Sequence, residues 1–132
     1  MATFNSLTPN LMVENVNETI NYYHAILGFE KISSVPEDGD LVWASMKKDN
    51  VEIMFQEEEN LKKDLPGLSS ESPGGGSTLF LKITGVDDLH DSIYEKVDVV
   101  DSLRDTFYGM REFTIRDING YYLTFAEPIS QS

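Results

Sequence analysis

The stretch TPNLMVENVNETINYYHAILGF, residues 8–29, decides how the chain is read. Its first six residues alternate: Pro9, Leu11 and Val13 fall on one side of an extended segment and Thr8, Asn10 and Met12 on the other, because successive strand side chains point to opposite faces. From Val16 the period changes. Val16, Ile20, Tyr23 and Leu27 recur at helical spacing and make one apolar stripe over Val16 to Leu27. Asn15 or Asn17 can cap the start of this helix, and Gly28 stands where a left-handed residue would end it. The chain therefore opens as a strand that runs directly into a helix.

The same order returns in the second half, where Thr78 to Ile83 (TLFLKI) leads into a helix over Val86 to Lys96 marked by Val86, Leu89 and Ile93. Extended segments follow each helix: Glu30 to Val35, Asp40 to Met46 and Val51 to Gln56, then Val97 to Val100, Met110 to Arg116 and Tyr121 to Glu127. Lys48-Asp49-Asn50 and Asp117-Ile118-Asn119-Gly120 supply the turns between the last two of each set, the second through an Asn-Gly pair that tolerates positive φ. Between the halves, Pro66 to Thr78 (PGLSSESPGGGST) is rich in Gly, Ser and Pro and has no apolar period. Each half thus reads βαβββ, and internal duplication is the economical account. The expectation is an α+β fold over residues 1–132, a single domain of two tandem modules at about 6–60 and 78–128 joined by a linker over 66–77. The two modules are expected to pair into a cupped mixed sheet with helices outside.

Length and composition bound the function. The chain has 132 residues, 23 Asp+Glu against 10 Lys+Arg, a net charge of −13 and no cysteine. A core of this size needs no disulfide or structural zinc, and thiolate metal sites and thiol chemistry are ruled out. Nucleic acid and anionic membranes are poor partners for a chain without clustered Lys and Arg. A cationic ligand is the natural electrostatic complement. The segment Met1 to Thr8 has neither a basic region nor an apolar run, and no stretch approaches the roughly 18 apolar residues of a membrane span. A cytoplasmic protein is expected.

Strand parity separates a helix-covered face from a ligand face. Val51, Ile53 and Phe55 oppose Glu52, Met54 and Gln56; Leu79, Leu81 and Ile83 oppose Thr78, Phe80 and Lys82. Leu123 and Phe125 oppose Tyr122, Thr124 and Ala126, and Phe113 and Ile115, with Arg111, oppose Met110, Glu112 and Thr114. The first set of faces is almost wholly apolar. The second is mixed, and its large apolar groups would be an association hazard on an open surface, so it suits a ligand cleft.

Val13-Glu14-Asn15-Val16, followed by Ile20, Tyr22-Tyr23 and Leu27-Gly28-Phe29, resembles the opening of the vicinal oxygen chelate superfamily. That superfamily groups glyoxalase I, fosfomycin-resistance enzymes, extradiol dioxygenases and bleomycin-resistance proteins. Phe113-Thr114-Ile115-Arg116-Asp117-Ile118-Asn119-Gly120-Tyr121-Tyr122-Leu123 is similar to the family's "F-x-D-P-D-G-x-x-L-E" ending, with Ile118 in place of the usual proline. The resemblance covers nearly the whole chain and implies the paired βαβββ fold. A shared fold does not fix the chemistry.

Metal-dependent members hold a divalent ion with His or Glu at the first strand and Glu on the last strand of each module. Carried over, those positions fall on Thr8, Met54, Thr78 and Thr124, none of them a His, Asp or Glu, so no metal or other cofactor is expected. The two histidines, His24 and His90, lie on the helices and read as surface or boundary residues. Glu52 and Glu112 are the acids facing the cleft on the sorted strands. They are the candidate catalytic residues, and they equally suit a cation ligand or a charge reaching the rim. The acidic run Glu57-Glu58-Glu59, followed by Leu61-Lys62-Lys63-Asp64, reads as a solvated loop or short helix.

Two functions follow. The first, closest to the metal-free bleomycin-resistance members, is a protein that binds a small molecule, cationic and aromatic in character. Its binding groups are the aromatic rings of Trp43, Phe80, Tyr108 and Tyr122, the carboxylates Glu52 and Glu112, and the smaller groups Asn10, Met54, Gln56, Thr114 and Thr124. The resemblance implies a homodimer. The second is a lyase or isomerase of glyoxalase type, working through a cleft carboxylate or through a metal site outside the four carried-over positions.

Overall fold

Asn15 marks the corner between the first strand, β1 (Asn10–Val13), and the first helix, α1 (Val16–Leu27). Its side-chain oxygen accepts the Glu18 amide at 2.9 Å, and Gly28 closes the helix in the left-handed region with φ 78. The three strands that follow are β2 (Glu30–Val35), β3 (Trp43–Lys48) and β4 (Val51–Glu57). They form a mixed sheet in the order β1-β4-β3-β2, with β1 parallel to β4 and the other pairs antiparallel. A parallel pair needs a crossover rather than a hairpin, and the segment carrying α1 supplies it. One face of the sheet carries Val13, Ala44, Met46, Ile53 and Phe55, all buried, and α1 lies against β3 and β4. Tyr23, fully buried, sets its ring 4.7 Å from that of Phe55.

The computed structural model describes residues 1–129 and divides into two compact units, Met1–Pro73 and the part from Gly74 onward. The first unit ends with α2 (Glu58–Asp64) and a 3₁₀ turn at Pro66–Leu68. Glu57 caps α2 by accepting the amides of Glu59 and Asn60, and Leu61 anchors it. Of the two readings open for residues 57–64, the helix is the one that forms.

The second unit repeats the plan with β5 (Thr78–Lys82), α3 (Val86–Ile93), β6 (Asp98–Asp105), β7 (Met110–Arg116) and β8 (Tyr122–Pro128), in the sheet order β5-β8-β7-β6. The duplication is visible in the ladders. Asn10 pairs with Met54 and Phe80 with Thr124, so equivalent positions differ by 70 residues, as do the first helical residues Val16 and Val86. Position 85, the counterpart of Asn15, is a glycine and has no side chain to cap α3. Glu127 does this from β8, accepting the amides of Gly85 and Val86 at 3.0 Å each. Those two bonds hold its carboxyl below the usual carboxylate range. Beneath α3 lie Leu81, Phe113, Ile115, Leu123 and Phe125, all buried.

Several element ends differ from the sequence reading. β3 begins at Trp43 rather than Asp40, because residues 36–40 form a run of bends in which Gly39 has φ 83. α3 ends at Ile93, three residues before Lys96. β6 runs on to Asp105 although its second half, DSLRD, is polar, because an edge strand is held by its backbone ladder, here with β7, rather than by burial. Arg111, on the helix-side face, is paired by Asp105 at 2.7 Å and Asp87 at 3.3 Å. Asp117 accepts the amides of Asn119 and Tyr121 within the β7–β8 turn. Among the described residues no helix is long and apolar enough to cross a membrane.

Candidate functional site

The second unit carries the fuller set of chemistry on the sheet face turned away from α3. Thr114 and Thr124 are directly opposed on β7 and β8, and their hydroxyls lie 2.7 Å apart. Phe80 stands opposite Thr124 and Thr78 opposite Tyr122, so the Phe80 and Tyr122 side chains are diagonal neighbours across β5 and β8. Phe80 is 58% exposed and Tyr122 38%, large apolar surfaces for a sheet face to leave open.

Glu112 sits two residues before Thr114 on the same face, opposite Ala126. It is only 5% exposed. The Tyr108 hydroxyl donates to its Oε1 at 2.6 Å, and the Arg104 guanidinium comes no closer than 3.6 Å. Oε2 is buried with no hydrogen-bond partner among the described residues. Such an arrangement is costly, because a carboxylate taken out of water needs its lone pairs filled. The hydrogen bond to Glu112, followed by burial, raises the Tyr108 phenol above its ordinary range. Tyr108 itself lies half exposed on the turn between β6 and β7. β6 brings two further charged groups to this face, Asp101 opposite Thr114 and Arg104 opposite Glu112. The sequence reading missed both, since the DSLRD stretch has no alternation that would sort its residues by face.

The equivalent face of the first unit is more closed. Gln56 is buried, accepting from Asn10 at 2.9 Å and donating to Asn60 at 2.7 Å and Asp64 at 2.8 Å. Its amide group is thus tied into α2, while Asn10 remains exposed. Trp43 stands opposite Gln56, and Met54 opposite Ser45, whose hydroxyl lies 3.1 Å from that of Ser33. Glu52 is exposed and opposed by Lys47, a cross-strand pairing of opposite charges at the sheet end.

The positions carried over from metal-dependent relatives hold two hydroxyls in the second unit, Thr78 and Thr124, and a hydroxyl and a thioether in the first, Thr8 and Met54. Thr8 precedes β1, two residues before Asn10, the partner of Met54. Neutral hydroxyls are poor donors for a divalent transition metal, and this donor set does not fit one. Among the described residues no group of three or more His, Asp or Glu is placed to hold a metal ion. His24 lies on α1 beside the Phe29 carbonyl and Glu30. His90 stacks on Tyr94 and meets the edge of Phe113, which places it on the helix side of its sheet.

Comparison with known proteins agrees with this architecture. The chain matches the model of the glyoxalase/bleomycin resistance protein/dioxygenase superfamily over residues 3–125. Among solved structures, a protein of unknown function from Agrobacterium tumefaciens is similar at 17% identity and TM-score 0.79, covering 98% of each chain. A glyoxalase/bleomycin resistance protein/dioxygenase from Nocardioides is similar at 13% identity and TM-score 0.76, over 100% of this chain and 89% of the other. The bleomycin-binding protein of Streptomyces verticillus, solved with copper(II)-bleomycin, is similar at 20% identity and TM-score 0.66, over 99% of this chain and all of its own. No curated protein matches. With the family model spanning nearly the whole chain and the βαβββ unit present twice, this protein belongs to the glyoxalase/bleomycin resistance protein/dioxygenase superfamily.

Proposed function

We propose that this protein binds a small cationic aromatic molecule without a metal ion, using the ligand face of its second unit. The observation that carries this reading is Glu112, a buried carboxylate with one oxygen unpartnered, on the same sheet face as the exposed rings of Phe80 and Tyr122. A ring system can stack on the aromatics while a positive group satisfies the carboxylate. The net charge of −13 draws cations toward the protein. The likeness to a bleomycin-binding protein supports a binding role. In the first unit, Trp43 and Met54 offer apolar surface and Asn10 and Glu52 polar groups on the equivalent sheet face, and the functional form is a homodimer.

The test is calorimetric titration of chelator-treated protein with benzamidine and with benzamide, which share a ring and differ in charge. Saturable binding of benzamidine, weak or absent binding of benzamide, and no change on adding Zn²⁺, Ni²⁺ or Mn²⁺ support the reading. Equal affinity for the two, or a requirement for a metal, contradicts it.

One observation favours a second reading, a lyase or isomerase. A buried carboxylate already joined to a phenol is the kind of group that can move a proton. In that case Glu112→Gln abolishes turnover, whereas in the binding reading it weakens affinity for cations alone.

A further inference from the structure

The state of Glu112 says more about the ligand than its charge. The carboxylate is 7% exposed in its side chain, and Oε1 is served by the Tyr108 hydroxyl at 2.6 Å. Arg104, on the neighbouring edge strand and 55% exposed in its side chain, holds its guanidinium 3.6 Å from the same oxygen, outside hydrogen-bond distance. Oε2 has nothing. A protein that needed only a structural ion pair here would be expected to bring Arg104 in as a bidentate fork, the geometry this side chain adopts with carboxylates. Arg111, one residue before Glu112, does so with Asp105, through Nε at 2.7 Å and a terminal nitrogen at 3.1 Å. At Glu112 the fork is left open.

We infer that Glu112 selects ligands whose positive group carries N–H donors, such as an amidinium, guanidinium or primary ammonium, and that Arg104 is the resident counter-ion such a group displaces. This rests on the binding reading above and narrows it. A quaternary ammonium is attracted by aromatic faces and by net negative charge as strongly as a protonated amine, but it has no hydrogen to give an oxygen that lacks a partner. An N–H cation fills Oε2 and supplies the charge that Arg104 supplies only loosely. Both groups near Oε1, Tyr108 and Arg104, belong to side chains at least half exposed, so each has solvent to turn toward as the ligand enters.

The experiment compares benzamidine with phenyltrimethylammonium, two cations on the same ring, by calorimetry on the full chain and on its Glu112→Gln and Arg104→Ala variants. Benzamidine is expected to bind about tenfold or more tighter than phenyltrimethylammonium, the ratio expected when one hydrogen bond to a charged group is lost. Glu112→Gln is expected to abolish that difference, and Arg104→Ala to tighten benzamidine severalfold by removing its competitor. Equal binding of the two cations, both above benzamide, overturns the inference and leaves the cation-binding reading intact. Benzamidine no better than benzamide overturns both. Unchanged or weaker benzamidine binding in Arg104→Ala shows that Arg104 is not displaced. Should Glu112→Gln fail to fold, the wild-type comparison and Arg104→Ala decide the matter between them.

Discussion

Replacing Glu112 with methionine is expected to make the free protein more stable while removing the proposed preference for cations. Methionine has the length of glutamate and no polar group that must be solvated, so the site keeps its shape. The change removes a buried acceptor that has no partner, a relief of about 1–3 kcal/mol, and places an apolar terminus in a position only 5% exposed. Against this stands the loss of the Tyr108 hydrogen bond, which offsets part of that gain, only part because the half-exposed tyrosine can donate to water instead. The Arg104 contact, at 3.6 Å with a largely exposed partner, weighs little. The balance favours the variant by about 1 kcal/mol, or roughly 3–5 °C in melting temperature for a chain of this length. The assay is urea denaturation followed by circular dichroism, with the slope of the transition compared between the two proteins. A residue kept for function at the expense of stability shows this signature. A variant less stable by about 1 kcal/mol or more would refute the reasoning, showing that Glu112 is held by interactions worth more than its burial costs.

Glu127 ties β8 to the start of α3, and its carboxyl lies below the usual range because it accepts two backbone amides. Its contribution is therefore present above the ordinary carboxylate range and disappears as pH falls through its lowered value. Glu127→Ala is expected to be less stable than wild type near neutrality, with the gap closing in acid when urea midpoints are compared across pH. Phe113→Ala removes a fully buried ring in contact with Phe125 and His90 and is expected to cost about 3–5 kcal/mol by urea denaturation. Gly74 and Gly76 both have positive φ, but a Cβ on Gly74 would stand 2.5 Å from the Asn119 carbonyl oxygen, whereas one on Gly76 meets nothing within 4 Å. Gly76→Ala is expected to cost about 1 kcal/mol of backbone strain and Gly74→Ala clearly more, measured the same way.

Most of the fold could be read from residues 8–29 and their echo 70 positions later, because the signals there are local. Asn15 caps the helix it precedes, Gly28 ends it, and the alternation in β4, β5, β7 and β8 picks out the buried helix-side residues Ile53, Phe55, Leu81, Phe113, Ile115, Leu123 and Phe125, although Gln56, Glu112, Thr114 and Ala126 on the opposite faces are buried as well. What escaped the sequence was settled by contacts distant in the chain. Glu127 caps a helix 41 residues away, a role no spacing rule announces. Gln56 looked like an open ligand-face amide until α2 folded back and took both its donors through Asn60 and Asp64. β6 continues through a polar stretch because β7 offers it a ladder, and that continuation brings Arg104 opposite Glu112. Parity could place Glu112 on the face turned away from α3. It could not show that Tyr108 would serve one oxygen and leave the other bare.

The most direct measurement of the central claim is calorimetric titration of chelator-treated wild-type protein with benzamidine and benzamide in parallel. The account expects saturable benzamidine binding, far weaker benzamide binding, and no response to added divalent metal. Binding that is indifferent to the ligand's charge, or that appears only when a divalent metal is restored, would contradict it.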